Sequence, residues 1–160
     1  MPTKSAEPDP AVLAMAEEIF AISTIAWQVR HRNKETGGWD LSETEYLTLD
    51  LLARQDRLNV GQLQRRIGVL PAQMSRVIRA LESKFDQPLI ASAINPDDKR
   101  KVDVSLTPAG RKAHQQFRQA RLSQAVDILA KMPTQDLEDF MRVVRRMHQM
   151  MAQSVKPDES

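Results

Sequence analysis

Three consecutive cations, Lys99, Arg100 and Lys101, end the charged run Asn-Pro-Asp-Asp-Lys-Arg-Lys at residues 95–101. Basic side chains of this kind bind phosphate, and arginine also enters the minor groove of DNA. Asp98 stands two residues before Arg100, where its carboxylate can accept a hydrogen bond from the guanidinium and fix its direction. We therefore expect the three cations to contact a phosphate backbone or a minor groove, with Asp98 as the orienting group.

The residues around this run predict a β-hairpin over 88–106, with the charged run as its tip. An Asn-Pro pair is a turn signal, and the residues that follow alternate between apolar and polar, as in a half-buried strand. The side chains expected on the buried face are Val102, Val104 and Leu106. Those expected on the opposite face are Asp103 and Ser105.

A helix predicted at 71–84 precedes the hairpin and has two different faces. Its apolar positions follow the i, i+3, i+4, i+7 spacing of a buried face. They are Met74, Val77, Ile78 and Leu81. The opposite face is small and cationic, as a helix that enters a major groove requires. The candidate DNA contacts on it are Gln73, Ser75, Arg76 and Arg79. An arginine at such a position can equally bind phosphate and read no sequence.

Two shorter helices are predicted ahead of this one. Ser42 and Glu45 form a capping box that opens a helix at about 43–54. A second short helix, at 60–67, is joined to the helix at 71–84 by three residues. This spacing is typical of a helix-turn-helix, and the hairpin that follows extends it to a winged helix.

Long helices are predicted on both sides, at 10–35, from 108 to about 131, and at 135–153. The last carries an apolar stripe with alternating spacings of three and four residues, which suits lengthwise packing on another helix. The stripe consists of Leu137, Phe140, Val144, Met147 and Met151. A two-fold dimer built from the flanking helices would cover it and place two DNA-binding units on one palindromic site. Packing within a single chain is the alternative.

The formal charge is unevenly distributed, although the net charge is only +2. Residues 1–53 hold 4 Lys/Arg against 9 Asp/Glu, residues 54–121 hold 14 against 6, and residues 122–160 hold 5 against 6. A basic middle between acidic ends indicates a central unit that binds a polyanion. A solvated basic face is an equally weighted alternative.

The expected fold class is mainly α with a small β-hairpin wing, a winged helix-turn-helix flanked by long dimerisation helices. Within one structural domain we expect an N-terminal dimerisation helix at 1–36 and a DNA-binding winged helix-turn-helix at 41–107. C-terminal dimerisation helices at 108–153 and a disordered tail at 154–160 follow.

Composition narrows the class of protein further. A chain of 160 residues with 41% hydrophobic residues can bury a core, and the absence of cysteine excludes disulfides and cysteine metal sites. No apolar run approaches the roughly 20 residues that span a bilayer, and the N-terminus lacks the apolar core of a signal peptide. We therefore expect a cytoplasmic protein with no membrane partner.

Residues 42–112 resemble the MarR (multiple antibiotic resistance regulator) family of winged-helix transcription factors. The resemblance rests on Ser42 and Glu45, Gln62-Leu63, Met74-Ser75-Arg76-Val77-Ile78-Arg79-Ala80-Leu81-Glu82, Asp98-Lys99-Arg100, and Leu106-Thr107-Pro108-Ala109-Gly110. It implies that Arg100 reaches the minor groove with Asp98 as its partner, and that Ser75 and Arg76 lie on the recognition helix. It also implies that the first helix and the last two form the dimer.

The sequence departs from the family pattern in three places. Many members carry serine at the position of Leu70, where it caps the recognition helix, and a leucine side chain cannot cap. Serine or threonine is frequent at the positions of Ala72 and Gln73. A Lys-Gly pair often follows the recognition helix, whereas Lys84 is followed here by Phe85. The last departure alters the entry into the hairpin.

A second resemblance concerns the motif but not the arrangement of the chain around it. Residues 79–90 together with 106–110 also resemble the DNA-binding head of LysR-type regulators, which place that head at the N-terminus before a large ligand domain. Here about 40 residues precede the head and about 50 follow it. This arrangement favours the MarR family.

Other chemistry has little support in the sequence. No Gly-rich phosphate loop, nucleophile elbow or paired-carboxylate motif is present, so we expect no enzyme, no catalytic residue and no cofactor. His31, His114 and His148 are scattered without metal-ligand spacing, so we expect no metal site. Four ring side chains could line a small-molecule effector pocket, as in this family, but packing in the core or at an interface is the favoured interpretation. They are Trp27, His31, Trp39 and Tyr46.

The expected function is a DNA-binding transcription regulator, with repression as the expected mode. It would bind a pseudo-palindromic operator in double-stranded DNA as a homodimer, with a small-molecule effector as an optional further partner. The alternative is a helical protein–protein interaction module that keeps the winged-helix fold and binds DNA weakly or not at all. The missing cap at Leu70 and the altered turn at Phe85-Asp86 motivate that alternative.

Overall fold

The computed structural model describes residues 9–32 and 39–154, which fall into two compact units divided between Gly38 and Trp39. The described part of the first unit is one helix, α1 (Pro10–Arg32). Asp9 caps it, because its Oδ1 accepts a hydrogen bond from the Ala11 N–H at 2.8 Å. The predicted end of the first helix, at residue 35, lies outside the described residues.

The second unit contains five helices and three short strands among the residues that the structure describes. They are α2 (Glu43–Arg54), β1 (Leu58–Asn59), α3 (Val60–Ile67), α4 (Pro71–Ser83), β2 (Ile90–Ile94), β3 (Val102–Leu106), α5 (Pro108–Leu129) and α6 (Thr134–Ser154). The mainly helical fold with a small hairpin, expected from the sequence, is confirmed. No described helix combines the length and the apolar character that crossing a membrane requires.

Local side-chain chemistry sets where α2 and α3 begin. The Ser42 Oγ accepts a hydrogen bond from the Glu45 N–H at 3.2 Å, and the Glu45 Oε2 accepts one from the Ser42 N–H at 2.7 Å. The predicted capping box is therefore confirmed. Asn59 and Gln62 form a second box at the start of α3, with both hydrogen bonds at 2.9 Å. Gly68 ends α3 with φ at 76°, a left-handed conformation that glycine adopts without a steric penalty.

The sheet has the order β1-β3-β2, and both pairings are antiparallel. The hairpin register places Ile90 opposite Leu106 and Ile94 opposite Val102. Strand β1 was not predicted, because two residues are too few to show a period-two pattern. It pairs Leu58 with Val104 and so adds a third strand to the hairpin. Below, the wing means β2, β3 and the loop between them, and the tip means residues 95–101.

The expected division of β3 into a buried apolar face and an exposed polar face is correct at Val104 and Leu106, which are buried. It is wrong at Val102, which is 40% exposed, and at Asp103, which is only 8% exposed. The Asp103 Oδ2 accepts a hydrogen bond from the Asn95 Nδ2 at 2.8 Å. Asp103 also lies opposite Asn59 of β1, so a strand that the sequence did not reveal covers it.

One apolar core lies between α2, α3, α4, α5 and the sheet. Its most completely buried apolar side chains are Leu49, Leu52, Leu63, Met74, Leu81, Leu89, Ile90 and Val104. The predicted core face of α4 is confirmed, since Met74, Val77, Ile78 and Leu81 are all buried. Burying these side chains anchors α4 along one side and leaves its opposite side free to face solvent.

The N-terminus of α5 is fastened to the segment that enters the wing. The Thr107 Oγ1 donates to the Pro88 carbonyl at 2.6 Å, and the Thr107 N–H donates to the Leu89 carbonyl at 3.1 Å. The same Oγ1 accepts a hydrogen bond from the Gly110 N–H at 3.0 Å, which makes Thr107 the N-cap of α5. These bonds fix the base of the wing.

Candidate nucleic-acid interface

Helix α4 presents an exposed polar face opposite its buried one. Gln73, Ser75, Arg76 and Arg79 are all exposed, so the structure places the four predicted contacts of this helix at the protein surface. The Ser75 Oγ donates to the Pro71 carbonyl at 3.0 Å, and the Arg79 Nε donates to the Ser75 carbonyl at 3.3 Å. The arrangement offers a hydroxyl and two guanidinium groups along a helix whose backbone is held by the core.

Helix α4 begins without a side-chain cap. Leu70 is the N-cap residue and makes no capping hydrogen bond with its side chain, and Pro71 follows in the first turn. The Leu70 carbonyl accepts hydrogen bonds from the N–H groups of Gln73 and Met74, both at 3.0 Å. The backbone therefore starts the helix correctly while the capping oxygen of a serine is missing.

Because this cap is missing, we expect Leu70→Ser to stabilise the protein by about 1 kcal/mol. A serine Oγ at this position would accept a hydrogen bond from an N–H of the first helical turn. Chemical denaturation of the variant and the natural protein measures the difference. The matched control is Leu70→Ala, which cannot cap and is expected to change the free energy of unfolding by less than about 0.5 kcal/mol.

Asn95 shapes the tip of the wing. Its Oδ1 accepts hydrogen bonds from the N–H groups of Asp97 at 2.9 Å and Asp98 at 2.8 Å. The Asn95 N–H donates to the Lys101 carbonyl at 2.9 Å, and the Lys101 N–H donates to the Asp98 carbonyl at 2.9 Å. An asparagine that bonds to the backbone two residues ahead is a known turn device. The tip is thus a defined turn rather than an unstructured loop.

Asp98 holds the first part of the Arg100 side chain. Its Oδ1 accepts hydrogen bonds from the Arg100 N–H at 3.1 Å and the Arg100 Nε at 3.3 Å, and its Oδ2 lies 3.4 Å from the Lys101 Nζ. The bond from the Arg100 backbone, followed by that from its side chain, holds the pKa of Asp98 below its usual value. The carboxylate is therefore ionised at neutral pH. The Arg100 side chain is 92% exposed and extends from this anchor into solvent.

A side-chain contact joins α4 to the wing. The Ser92 Oγ in β2 donates to the Glu82 Oε1 in α4 at 2.5 Å. Glu82 is half-buried beside the end of α4, while Ser92 lies opposite Val104 in the sheet. The contact links the strand that leads to the tip to the helix that carries Arg76 and Arg79, next to the bond from the Leu89 N–H to the Leu81 carbonyl at 2.8 Å. Sequence reasoning missed this pair, since its members are ten residues apart and belong to different elements.

The altered turn after α4 is held by Lys84 and Phe85. The Lys84 Nζ donates to the Asp40 carbonyl, lies 3.4 Å from the Glu45 Oε2, and stands 5.2 Å from the centre of the Phe85 ring. The Phe85 ring meets the Trp39 ring edge-on at 5.4 Å. These contacts connect the end of α4 to the segment before α2. The turn that departs from the family pattern is therefore packed against its neighbours.

Two of the four side chains considered for an effector pocket pack within the second unit. The Trp39 Nε1 donates to the Gln116 Oε1 at 2.8 Å, and the Tyr46 ring lies 4.9 Å from the Phe117 ring. Partial burial, together with the charge of Asp50, raises the pKa of the Tyr46 hydroxyl. These contacts support packing of both side chains against α5. The side chains of Trp27 and His31 lie outside the described residues.

The predicted stripe on α6 faces solvent along most of its length. Leu137 is half-buried, and the other four members are between 39% and 66% exposed in the single chain. They are Phe140, Val144, Met147 and Met151. A row of exposed large apolar side chains on one helix face is typical of a protein–protein contact. Its part in a dimer stays a prediction.

The MarR family model matches residues 41–102, which cover α2 to the start of β3. A MarR family protein from Bacillus stearothermophilus has a similar structure over 92% of this chain and 99% of its own, with 16% identity and a TM-score of 0.77. FabT from Streptococcus pneumoniae, solved in complex with DNA, covers 89% of this chain and 98% of its own, with 17% identity and a TM-score of 0.72.

BpsR from Bordetella bronchiseptica, whose DNA binding is regulated by 6-hydroxynicotinic acid, is also similar in structure. It covers 82% of this chain and 98% of its own, with 20% identity and a TM-score of 0.56. No curated protein sequence matches the chain at a significant level. The family match covers α2 to the start of β3, and the fold of a MarR family protein extends over nearly the whole chain. Residues 41–102 therefore match the MarR family model, and the chain shares the winged-helix fold of solved MarR family proteins.

Proposed function

We propose that the protein regulates transcription by inserting α4 into the major groove of duplex DNA and the wing tip into the adjacent minor groove. One observation carries this docking. The exposed cationic face of α4 and the 92% exposed, carboxylate-anchored Arg100 lie on two elements that the Glu82–Ser92 contact joins. A helix and a hairpin fixed to each other in this way can contact neighbouring grooves together.

The exposed residues of α4 differ in how far their side chains can reach into the DNA groove. Arg76 and Arg79 are long enough to pair with a guanine edge or a phosphate, whereas Gln73 can pair with adenine. Ser75 is short, so we assign it to close approach, and its hydroxyl, which donates to the Pro71 carbonyl in the free protein, would have to rotate in order to donate to a phosphate. The four side chains together supply both sequence reading and orientation.

The wing tip supplies charge and one oriented guanidinium. Lys99, Arg100 and Lys101 are all exposed, and Asp98 anchors the last two. A narrow minor groove concentrates negative potential and attracts an arginine that is presented to it. We assign Arg100 to that groove, Lys99 and Lys101 to the flanking phosphates, and Asp98 to positioning.

The active assembly that we propose is a homodimer formed by the N-terminal segment at 1–36 and the C-terminal segment at 108–153. The exposed stripe on α6 supplies apolar surface for this contact. A two-fold dimer would place two winged helices on a pseudo-palindromic operator. Repression follows where such an operator overlaps a promoter.

Regulation by a small molecule is part of the proposal, supported by the relative whose DNA binding responds to 6-hydroxynicotinic acid. We assign no catalytic activity and no cofactor to the chain, because the proposed activity consists of reversible DNA binding. We place the protein in the compartment that holds the DNA it binds, which is the cytoplasm in the bacteria that supply its structural relatives. Repression would be established by a reporter under an operator-containing promoter whose signal rises when the gene is deleted and falls again on complementation.

Replacing Arg100 by alanine is expected to weaken binding to a selected operator duplex about tenfold at fixed moderate salt. The loss follows from removing a guanidinium that the fold does not need, since the side chain is 92% exposed. Fluorescence anisotropy with a duplex selected from random DNA measures it. The matched control is Arg142→Ala on α6, whose side chain is 74% exposed and lies opposite the apolar stripe. Unchanged affinity in the Arg100 variant would contradict the docking.

A further inference from the structure

An apolar patch lies at the N-terminal end of α4. Leu70 is 74% exposed, and Pro71 and Ala72, which follow it, are exposed as well. The three residues are consecutive, and none of their side chains carries a hydrogen-bonding group. The rest of the exposed face of this helix is polar or cationic. The patch therefore interrupts the polar surface at the helix end.

Neither folding nor capping explains Leu70. A side chain that is 74% exposed buries little apolar surface in the free protein, so its packing stabilises the fold little. It also makes no capping hydrogen bond, although capping is what side chains at this position ordinarily contribute. The position is nevertheless rigid, because the Leu70 carbonyl accepts hydrogen bonds from Gln73 and Met74. A fixed, exposed leucine is suited to contact an apolar surface on a partner.

The position of the patch identifies the partner. In a helix-turn-helix the N-terminal residues of the recognition helix are those that approach the base edges. In the major groove of unmodified DNA, the apolar group presented by a base edge is the C5-methyl group of thymine, and aliphatic side chains contact it. Leu70 and Ala72 would meet the edges of the bases before Arg76 does. Their chemistry fits thymine and offers nothing to the donors and acceptors of a G·C pair.

We propose that Leu70, supported by Ala72, is a specificity-determining residue that recognises a thymine methyl group in each half of the operator. This inference rests on the proposed docking of α4 in the major groove. It assigns the base preference at one position of the site to apolar contact, whereas Arg76, Arg79 and Gln73 read by hydrogen bonds. It also gives a reason for leucine at a position where a serine would make the better helix.

The test replaces thymine by deoxyuridine, which removes the methyl group and keeps every hydrogen-bonding atom. A duplex is first selected from random DNA, and each thymine of the half-site is then exchanged in turn. At one position per half-site we expect about a fourfold loss of affinity, the size that corresponds to one buried methyl group. When the thymine at the symmetric position of the other half-site is exchanged as well, we expect the two losses to multiply to a roughly tenfold or larger loss of affinity.

Variants at Leu70 connect the methyl group to the side chain. Leu70→Ser is expected to bind the thymine and deoxyuridine duplexes equally well, while Leu70→Met keeps the preference because it stays apolar. We expect the melting temperature of Leu70→Ser to rise. A loss of the thymine preference in this variant could therefore not be attributed to unfolding. A Leu70→Ser variant that keeps the full thymine preference would overturn the inference, as would sequence-specific binding by the natural protein with no sensitivity to any thymine methyl.

Failure of the docking itself gives a different result. A protein that binds no DNA, or binds all sequences equally at every salt concentration, would overturn the proposed docking and this inference together. Sequence-specific binding that depends on Arg76 and Arg100 but ignores every methyl group would leave the docking intact and overturn the inference alone. The two failures are therefore distinguishable in one set of titrations.

Discussion

The Gly110→Ala variant is expected to lose about 3 kcal/mol or more of folding free energy. A Cβ at this position would lie 1.9 Å from the Leu89 carbonyl oxygen and 2.9 Å from the Leu89 carbonyl carbon. Both are backbone atoms, so no side-chain rotation relieves the overlap. The Leu89 carbonyl also accepts the hydrogen bond of the Thr107 N–H. To make room, α5 must move away from the base of the wing and break the contacts that hold it there.

Urea denaturation followed by circular dichroism measures this loss. The control is Gly61→Ala in α3, where a new Cβ would approach only side-chain atoms, the Asn59 Oδ1 at 3.3 Å and an Arg65 guanidinium nitrogen at 3.5 Å. Because alanine favours a helix interior, we expect that variant to stay within about 1 kcal/mol of the natural protein. A Gly110→Ala protein that unfolds at the same urea concentration as the natural protein would contradict the packing of α5 on Leu89.

Removing both arginines of α4 should have the largest effect on DNA binding. We expect Arg76→Ala/Arg79→Ala to weaken binding to the selected operator about a hundredfold, since each contact with a base edge or phosphate is worth about 1–3 kcal/mol. Both side chains are exposed in the free protein, so the fold loses little when they are truncated. Thermal melting of the variant should therefore be close to that of the natural protein.

The control for charge is the double variant Arg142→Ala/Arg146→Ala. Both residues are exposed on α6, and helical spacing places them on the side away from the Leu137–Met151 stripe. It removes the same two positive charges, so a nonspecific effect of net charge would appear in it as well. Comparable affinity losses in the two double variants would refute the assignment of α4 to the DNA contact.

The winged helix was predictable from the sequence wherever a local interaction determines the structure. The Ser42–Glu45 box lies within one helical turn, and the residues that form it are readable as a pattern. The two faces of α4 follow from helical periodicity, and the structure buries the expected one. For the tip, the Asn-Pro pair predicts the turn that Asn95 forms, and the spacing of Asp98 and Arg100 predicts their contact.

The sequence did not reveal features that depend on residues distant in the chain. Strand β1 exists because Leu58 and Asn59 meet β3 about 45 residues later, and this pairing also buries Asp103. The Lys84 amino group reaches Asp40 and Glu45, about 40 residues earlier, so the altered turn looked unfavourable in the sequence and is packed in the structure. Periodicity and capping rules describe neighbours along the chain and say nothing about such pairs.

For the candidate site, residue types and faces were predictable, whereas relative placement was not. The cationic residues of α4 and the tip were selected from the sequence, and all of them are exposed. The contact between Glu82 and Ser92, which links helix and wing, became visible only in the structure. The sequence shows only that Leu70 cannot cap the helix, and its 74% exposure in the structure gives it a second interpretation.

In the proposed docking, α4 and the wing bind DNA through both charge and sequence. The most direct test of this docking is the affinity of the natural protein for a selected operator and a scrambled duplex, measured between 50 mM and 200 mM salt. We predict that log affinity falls linearly with log salt, with a slope of about −4 or steeper, and that the operator is preferred by about a hundredfold or more. No measurable binding at 50 mM salt, or equal affinity for both duplexes at every salt concentration, would contradict this docking and favour a protein–protein interaction module.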